Sequence, residues 1–147
     1  MEILIERLSE DASLPHQGSE EAAGYDVFVS KETLINPKET VLVPLGFAMA
    51  IPKGYHAKLV LRSSTGLKTN LRLGNQVGII DSDYRGEVKL IMTNIGNHPV
   101  RLFKDERVAQ MLIEKNIEAT FKVVDKLPET KRGKGGFGST GKTKKGN

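Results

Sequence analysis

The chain contains no cysteine and no tryptophan, and it has no long apolar run. The absence of cysteine excludes disulfides and thiolate metal ligands. No apolar run approaches the roughly 20 residues that a helix needs to cross a bilayer, so we expect no membrane partner. The first nine residues mix apolar and charged side chains, which is not the pattern of a secretory signal. These features favour a cytoplasmic protein of one domain, with enough residues for an ordinary hydrophobic core.

Acidic residues are missing from the end of the chain. Residues 131–147 contain six lysines and arginines and no aspartate or glutamate, and the whole chain has a formal net charge of +4. The basic balance is therefore concentrated in the tail. A short basic tail attracts phosphate groups, and composition leaves open whether they belong to a nucleotide or to a nucleic acid.

The sequence also lacks a sustained 3.6-residue period, so long amphipathic helices are not expected. Short runs rich in β-branched residues recur between turn signals such as Asn36-Pro37 and Arg85-Gly86. The expected strands are residues 3–8, 25–29, 34–35, 41–51, 55–61, 77–80, 88–93, 100–103, 108–113 and 121–124. Helical turns are expected only at residues 19–23 and 64–68. The pattern predicts an all-β sandwich, jelly roll or barrel.

The composition changes after Pro128. From residue 131 onward, six of the 17 residues are glycine, and Phe137 is the one large apolar side chain. Such a segment buries too little apolar surface to offset the entropy of ordering it. We therefore predict a β-barrel catalytic domain over residues 1–127 and a flexible glycine-rich arm over residues 128–147, which orders on a ligand.

The arm matches two phosphate-binding patterns. Residues 136–143 satisfy the P-loop pattern and residues 133–138 satisfy G-x-G-x-x-G. Both patterns require a helix after the loop, and only four residues follow Thr143. A true P-loop or Rossmann site is therefore not expected, although glycine amides, hydroxyls and flanking cations can still surround a polyphosphate. A solvated, purely solubilising tail is the alternative.

The segment GNQVGIIDSDYRGEV at residues 74–88 carries acidic residues after a buried-looking strand. Asp81 follows that strand, and a carboxylate at a strand end can act as a general base or hold a metal-bound water. Tyr84 can stack on a base or a sugar. The alternative is an ordinary β-turn, because Asp, Ser and Gly are common turn residues.

Three further segments are ambiguous on their own. In LRSST, Arg62 followed by Ser63 and Ser64 suits phosphate oxygens, but either serine could instead cap a helical turn. The segment AAGYDVF at residues 22–28 indicates a loop and then a strand. The segment ERVAQMLIEK at residues 106–115 indicates a strand in which Gln110 is polar among apolar neighbours.

Taken together, these five segments resemble the trimeric dUTPase family. AAGYD resembles its first motif, RSS the second, GNQVGIIDSDYRG the third, RVAQ the fourth and RGKGGFGSTG the fifth, in the family's order. The third and fifth motifs are specific, and the resemblance extends from Ala22 to Gly141. Leu61 and Ser64 depart from the residues that many members have in the second motif.

The resemblance implies a jelly-roll-like β-barrel that assembles as a homotrimer with shared active sites, and that hydrolyses dUTP to dUMP and pyrophosphate. It implies that Asp81 activates the attacking water, and that Mg²⁺ is held mainly by phosphate oxygens and waters, with Asp26 reaching it through water. It implies these contacts to the substrate: Arg62, Ser63, Ser64 and Gln110 for the phosphates, Asn75, Gly78, Ile79, Ile80 and Lys89 for uracil, Tyr84 for the deoxyribose, and Arg132, Phe137, Gly138, Ser139 and Thr140 from the arm.

Two alternatives are rejected on the residues. The related dCTP deaminases place a glutamate base where this chain has Ile91 and a second arginine where it has Leu67. A regulatory relative that binds nucleic acid would not need Asp81, and the tail lacks the interleaved aromatic residues on which single-strand binders stack bases. Nucleic acid is therefore not the expected partner.

Overall fold

The computed structural model describes residues 1–137 and 139. Within them the chain forms twelve strands and one short helix. The strands are β1 (Leu4–Arg7), β2 (His16–Gln17), β3 (Tyr25–Phe28), β4 (Thr33–Ile35), β5 (Thr40–Pro44), β6 (Phe47–Ala50), β7 (Tyr55–Leu61), β8 (Leu71–Leu73), β9 (Gly78–Ile80), β10 (Lys89–Asn94), β11 (Val100–Leu102) and β12 (Arg107–Lys115), and the helix is α1 (Ser63–Lys68).

All the strand pairs are antiparallel and they form four sheets. The largest has the order β2-β3-β12-β7-β9, the next has the order β5-β10-β8, and two ribbons pair β1 with β6 and β11 with β4. No closed barrel is found among these strands. The expectation of an all-β fold is confirmed.

A single apolar cluster fills the space between the sheets. Alternation along β10 shows how it forms, because Leu90 and Met92 are buried while Lys89 and Ile91 face outward. Phe47, on β6, is completely buried and is the largest side chain of the core. Each sheet thus has one face on the core and one face free for other contacts.

A glycine divides the long apolar run at residues 41–51 into two strands. Gly46 has φ +75°, and a Cβ atom there would lie 2.7 Å from the Ser30 Cβ and 2.8 Å from the Ala12 Cβ. The left-handed backbone and the lack of space both require glycine. The chain therefore turns between β5 and β6, where the sequence predicted one continuous strand.

Other expectations differ from the structure in local ways. The expected strand at residues 121–124 is wrong, since these residues are in no strand and Phe121 and Val123 are exposed. The short strands β2 and β8 were not expected. The helical turn at residues 64–68 is confirmed as part of α1, whereas residues 19–23 form turns only.

The chain divides into two compact units, Met1–Ile117 and Glu118–Asn147. The first contains all twelve strands, and its boundary precedes the expected domain end at residue 127. In the second, residues 118–124 are in no regular structure, and turns near residue 133 are closed by bonds such as that from the Gly133 amide to the Thr130 carbonyl at 3.0 Å. Within the described ranges, no helix is long and apolar enough to cross a membrane.

Candidate active site

Three segments that are distant in the sequence meet around Asp26. Its carboxylate, on β3, is buried, and Arg62 Nε lies 3.0 Å from Oδ1 while Arg107 NH1 lies 3.2 Å from Oδ2. Arg62 also donates from NH1 to the Arg107 carbonyl at 3.3 Å. One carboxylate thus holds two guanidinium groups, and both remain partly exposed.

A bulge in β12 connects this cluster to helix α1. The register of β12 against β3 shifts between Arg107 and Ala109, so Val108 is the extra residue. Its carbonyl accepts the Arg62 amide at 3.2 Å and the buried Thr65 hydroxyl at 2.9 Å. The bulge therefore fixes where Arg62 begins the helix.

The serines of the second motif do not cap this helix. Arg62 is the N-cap residue and has no side-chain capping bond, so the alternative that Ser63 or Ser64 is the cap is wrong. Ser63 is exposed and Ser64 is partly buried. Their position beside Arg62 suits a ligand better than it suits a structural role.

Gln110 joins the same face of the large sheet. It lies directly opposite Asp26 in the pairing of β12 with β3, so the two side chains project from one face. Gly24 allows the preceding loop to pack closely there, because a Cβ atom would lie 3.1 Å from the Met111 carbonyl and 3.4 Å from Gln110 Oε1. The first, second and fourth segments therefore form one polar cluster.

The third segment forms a loop at residues 74–77 and then β9, the edge strand of the same sheet. The Gly74 amide donates to the Ile91 carbonyl at 2.8 Å, and Gln76 has φ +62° at the turn. Gly78 packs closely against Leu59, on β7, because a Cβ atom there would lie 3.2 Å from the Leu59 Cβ. The sequence suggested a buried strand, but β9 is an edge strand and Ile79 is 52% exposed.

The surroundings of the residues expected to contact uracil differ from one residue to the next. Asn75 is exposed and Ile80 is partly buried. Lys89, expected near them, makes an ion pair with Glu87 at 3.2 Å and borders a cleft with Leu42 and Pro44. The expected contact of Lys89 with uracil stays a prediction.

Asp81 comes directly after β9 and is exposed. It lines an open cleft of about 610 Å³ with Asp83, Lys53 and Asn116 among its other walls. The Tyr84 amide donates to the Asp81 carbonyl at 3.2 Å and closes a turn. The turn interpretation and the functional one are thus compatible, because the turn presents the Asp81 carboxylate to solvent.

Tyr84 is held at the surface by its own turn. Its hydroxyl donates to the Glu87 carbonyl at 3.1 Å, and its ring lies over Gly86, where a Cβ atom would be 2.4 Å from the tyrosine oxygen. The ring is 46% exposed. A fixed, exposed aromatic face is available to a sugar.

The two groups of residues lie at opposite ends of β7. Ala57 pairs with Ile80, so Asp81 lies beside His56 at the start of the strand, whereas Arg62 follows its end. At about 3.3 Å per residue, the backbones of His56 and Arg62 are roughly 20 Å apart. One chain therefore does not bring Asp81 to Arg62.

The described residues of the arm make local contacts. Arg132 Nε donates to the Gly135 carbonyl at 2.9 Å, and the Ser139 amide donates to the Gly136 carbonyl at 3.0 Å. Phe137 is fully exposed with φ +49°. Gly138 and Thr140 lie outside the described residues.

Comparisons with known proteins identify the family of this chain. The dUTPase family model matches residues 10–141. The chain belongs to the dUTPase family. It is 42% identical over 142 residues to the deoxyuridine 5'-triphosphate nucleotidohydrolase of Hydrogenobaculum sp., covering 96% of this chain and 99% of that protein. The corresponding values for the Nautilia profundicola protein of the same name are 39%, 97% and 100%.

Solved structures of dUTPases share the fold. A Staphylococcus bacteriophage 80alpha mutant dUTPase with dUpNHpp has a TM-score of 0.88 and 26% identity, covering 95% of this chain and 98% of that chain. A phage phi11 mutant dUTPase, described with a structural Mg(II) ion, has a TM-score of 0.79 and 22% identity over 86% of this chain and 98% of that one. The jelly-roll-like dUTPase fold that the sequence motifs implied is confirmed.

Sequence reasoning missed two residues of the polar cluster. Arg107 lies in the fourth motif but precedes a bulge, and sequence does not show that the bulge directs its side chain to Asp26. Thr65 supports the second motif from a buried position. A hydroxyl residue in the first turn of a short helix was the available signal, but the structural alternative named only Ser63 or Ser64, as a cap.

Proposed function

We propose that the chain hydrolyses dUTP to dUMP and pyrophosphate, which removes dUTP before uracil enters DNA and supplies dUMP for thymidylate synthesis. The observation that carries this proposal is the third motif, in which a turn presents the exposed Asp81 carboxylate beside a fixed tyrosine ring. Membership of the dUTPase family supports it. We propose the cytoplasm as the compartment.

In the proposed reaction, Asp81 accepts a proton from a water molecule. The water oxygen forms a bond to the α-phosphorus, and the bond from that phosphorus to the oxygen bridging to the β-phosphorus breaks in line. Pyrophosphate takes the bonding electrons and leaves. Arg62, Ser63, Ser64 and Gln110 bind phosphate oxygens, which places the α-phosphorus and stabilises the charge that shifts to the leaving group.

The loop at residues 74–77, strand β9 and Tyr84 select the nucleotide. Backbone groups at Asn75, Gly78, Ile79 and Ile80 pair with the uracil edge, and a close fit rejects the methyl group of thymine. The ring of Tyr84, fixed by its bond to Glu87, packs on the deoxyribose and leaves no room for a 2′-hydroxyl. We also assign Lys89 to this pocket.

The active sites are shared in a homotrimer. The roughly 20 Å along β7 between Asp81 and Arg62 supports this, because the water that Asp81 activates must reach a phosphorus that Arg62 helps to hold. If two chains are placed so that β9 and Asp81 of one chain meet the polar cluster of the other, Asp81 and Arg62 both reach the same substrate.

Residues 117–127 also support an assembly. Ile117, Phe121 and Val123 are each more than nine-tenths exposed in the single chain. Soluble monomers rarely leave several large apolar side chains together in water. We propose that this segment packs on a neighbouring copy of the chain.

Mg²⁺ is the proposed cofactor, and it neutralises charge on the phosphates when bound. Within residues 1–137 and 139 there is no group of three or more histidine and acidic side chains that could hold a metal. The residues present therefore fit an ion held mainly by phosphate oxygens and water, which suits strongly hydrated Mg²⁺. A direct cage of side chains does not fit.

The arm acts as a lid over the bound nucleotide. We assign Arg132, Ser139 and Thr140 to the γ-phosphate, Gly138 to a backbone contact, and Phe137 to the uracil ring. Phe137 and Arg132 are both exposed in the described structure and are therefore accessible to a ligand. Closure excludes bulk water from the reaction.

Release of pyrophosphate from dUTP, dTTP and UTP tests the proposal. We expect kcat/KM to be highest for dUTP by at least about 100-fold, because both the methyl group and the 2′-hydroxyl meet a closed surface. Tyr84→Ala is expected to raise the relative rate with UTP and to leave the discrimination against dTTP in place. Equal kcat/KM values for the three nucleotides would contradict the proposed pocket.

A further inference from the structure

Glu87 is bonded to three residues in or beside the proposed nucleotide pocket. Its carboxylate accepts the Gly46 amide at 3.1 Å through Oε1 and pairs with the Lys89 ammonium at 3.2 Å through Oε2. Its backbone carbonyl accepts the Tyr84 hydroxyl at 3.1 Å. One residue therefore holds both the ring that we assign to the sugar and the lysine that we assign to the base.

The backbone around Glu87 fixes the position of its ion pair. Val88 is completely buried, its amide donates to the Phe47 carbonyl at 2.9 Å, and its carbonyl accepts the Leu45 amide at 3.1 Å. Glu87 and Lys89 flank Val88, so their side chains project to the side away from the core. The ion pair is thus attached to the turn between β5 and β6.

The Lys89 ammonium is available to a ligand on its outer side. The Lys89 side chain is 40% exposed and that of Glu87 is 24% exposed, so the carboxylate lies beneath the ammonium. Both border an open cleft of about 390 Å³. A lysine has three N–H donors, and one of them is directed to Glu87. The remaining donors can bind an acceptor that enters the cleft.

We propose that Glu87 is a positioning residue that holds the Lys89 ammonium against O4 of uracil and thereby selects uracil over cytosine. The inference deepens the proposed function and rests on it for the placement of the nucleotide. An ammonium group donates hydrogen bonds and cannot accept them. Uracil presents the O4 acceptor where cytosine presents an amino donor. An ammonium held at that position therefore binds uracil and repels cytosine.

This contact differs from the other determinants of the proposed pocket. The close fit around the base rejects the methyl group of thymine, and the ring of Tyr84 rejects a 2′-hydroxyl. Neither distinguishes an oxygen at C4 from an amino group of similar size. Thymine and uracil share O4, so Glu87 affects neither the choice between those two bases nor the choice of sugar.

The ion pair matters because a lysine side chain is flexible. Its four-carbon stem adopts many rotamers when the ammonium has no fixed partner. Ordering such a side chain at the moment of binding weakens the affinity for the ligand. Glu87 supplies that order in advance, and the Gly46 amide keeps the carboxylate itself in place.

Equilibrium binding of dUMP and dCMP to the full chain, measured by calorimetry, tests the proposal. Glu87→Gln keeps an oxygen for the Gly46 amide and removes the charge that holds Lys89. We expect the preference for dUMP over dCMP to fall about tenfold, mainly through weaker binding of dUMP. Lys89→Met should lose at least as much. The double variant should lose no more than Lys89→Met alone, because Glu87 acts through Lys89.

Two control variants separate this contact from general effects of charge. Glu114→Gln is the matched control, because Glu114 also pairs with a partly exposed lysine, Lys58, at 2.6 Å. Lys31→Met removes a lysine that borders the same cleft. Both should bind dUMP and dCMP as the wild type does. In Glu87→Gln, the ratios of dUMP to dTMP and of dUMP to UMP should stay unchanged, and thermal unfolding checks that each variant is folded.

Three results would overturn the proposal. The first is an unchanged ratio of dUMP to dCMP binding in folded Glu87→Gln or Lys89→Met, which would assign the choice to the backbone at residues 75–80. The second is an equal change in all three ratios, which would indicate a generally disordered pocket. The third is a wild-type chain that binds dUMP no better than dCMP. Pyrophosphate release from dUTP tests the proposed function separately, so a chain that lacks this activity but prefers dUMP through Glu87 would contradict only that function.

Discussion

Two defective chains should restore each other's activity if the active site is shared. Asp81→Asn removes the proposed base and keeps Arg62, whereas Arg62→Ala removes a phosphate contact and keeps Asp81. Each variant alone has no complete site. In a mixed assembly, a site formed by Asp81 of the second variant and Arg62 of the first is complete.

The recovered activity can be calculated from the geometry. Asp81 and Arg62 are roughly 20 Å apart along β7, so one chain does not supply both to a site. In an equal mixture, half of the chains have an intact Asp81 and half have an intact Arg62. Random assembly makes about a quarter of all sites complete. Purification through both tags removes the unmixed trimers, and in every mixed trimer one of the three sites is complete, so we expect about a third of the wild-type turnover.

The assay is pyrophosphate release by chains that are co-expressed with two different affinity tags and purified through both. Asp81→Asn mixed with Asp81→Ala is the matched control. No chain in that mixture has an intact Asp81, so only background activity is expected. Background activity from verified mixtures of Asp81→Asn and Arg62→Ala chains would refute the shared site.

Three further predictions concern single features. Asp81→Asn should lower turnover by at least about 100-fold while a non-hydrolysable dUTP analogue still binds, and near-normal turnover would exclude Asp81 as the base. Gly46→Ala should lower the free energy of unfolding by roughly 1–3 kcal/mol in urea titrations, because strain adds to contact with Ser30 and Ala12. Gly54→Ala, at φ +88° with no atom within 4 Å, isolates the strain and should cost less. Deleting residues 131–147 should leave the unfolding temperature unchanged and remove most turnover, and an unfolded product would make the arm structural.

The elements that the sequence predicted well are those with a local physical cause. Alternation such as that in β10 follows from one buried face, and the turn at Asp81 follows from turn residues. The division of residues 41–51 was missed, because it depends on the approach of Ser30 and Ala12 to Gly46. The exposed segment at residues 121–124 has strand-forming residues, but it has no strand partner within the single chain.

The candidate site shows the same limit at a larger scale. The motifs identify Asp81, Arg62 and Gln110 by the chemistry of their side chains. That chemistry does not show which of the three lie close together in space. The register of β12 against β3 decides that Gln110 lies opposite Asp26, and the length of β7 decides that Asp81 does not join them. Both are long-range consequences of strand pairing, which a one-residue change of register would alter completely. We therefore propose that a complete site requires a second copy of the chain, and the mixed-chain assay tests that requirement directly.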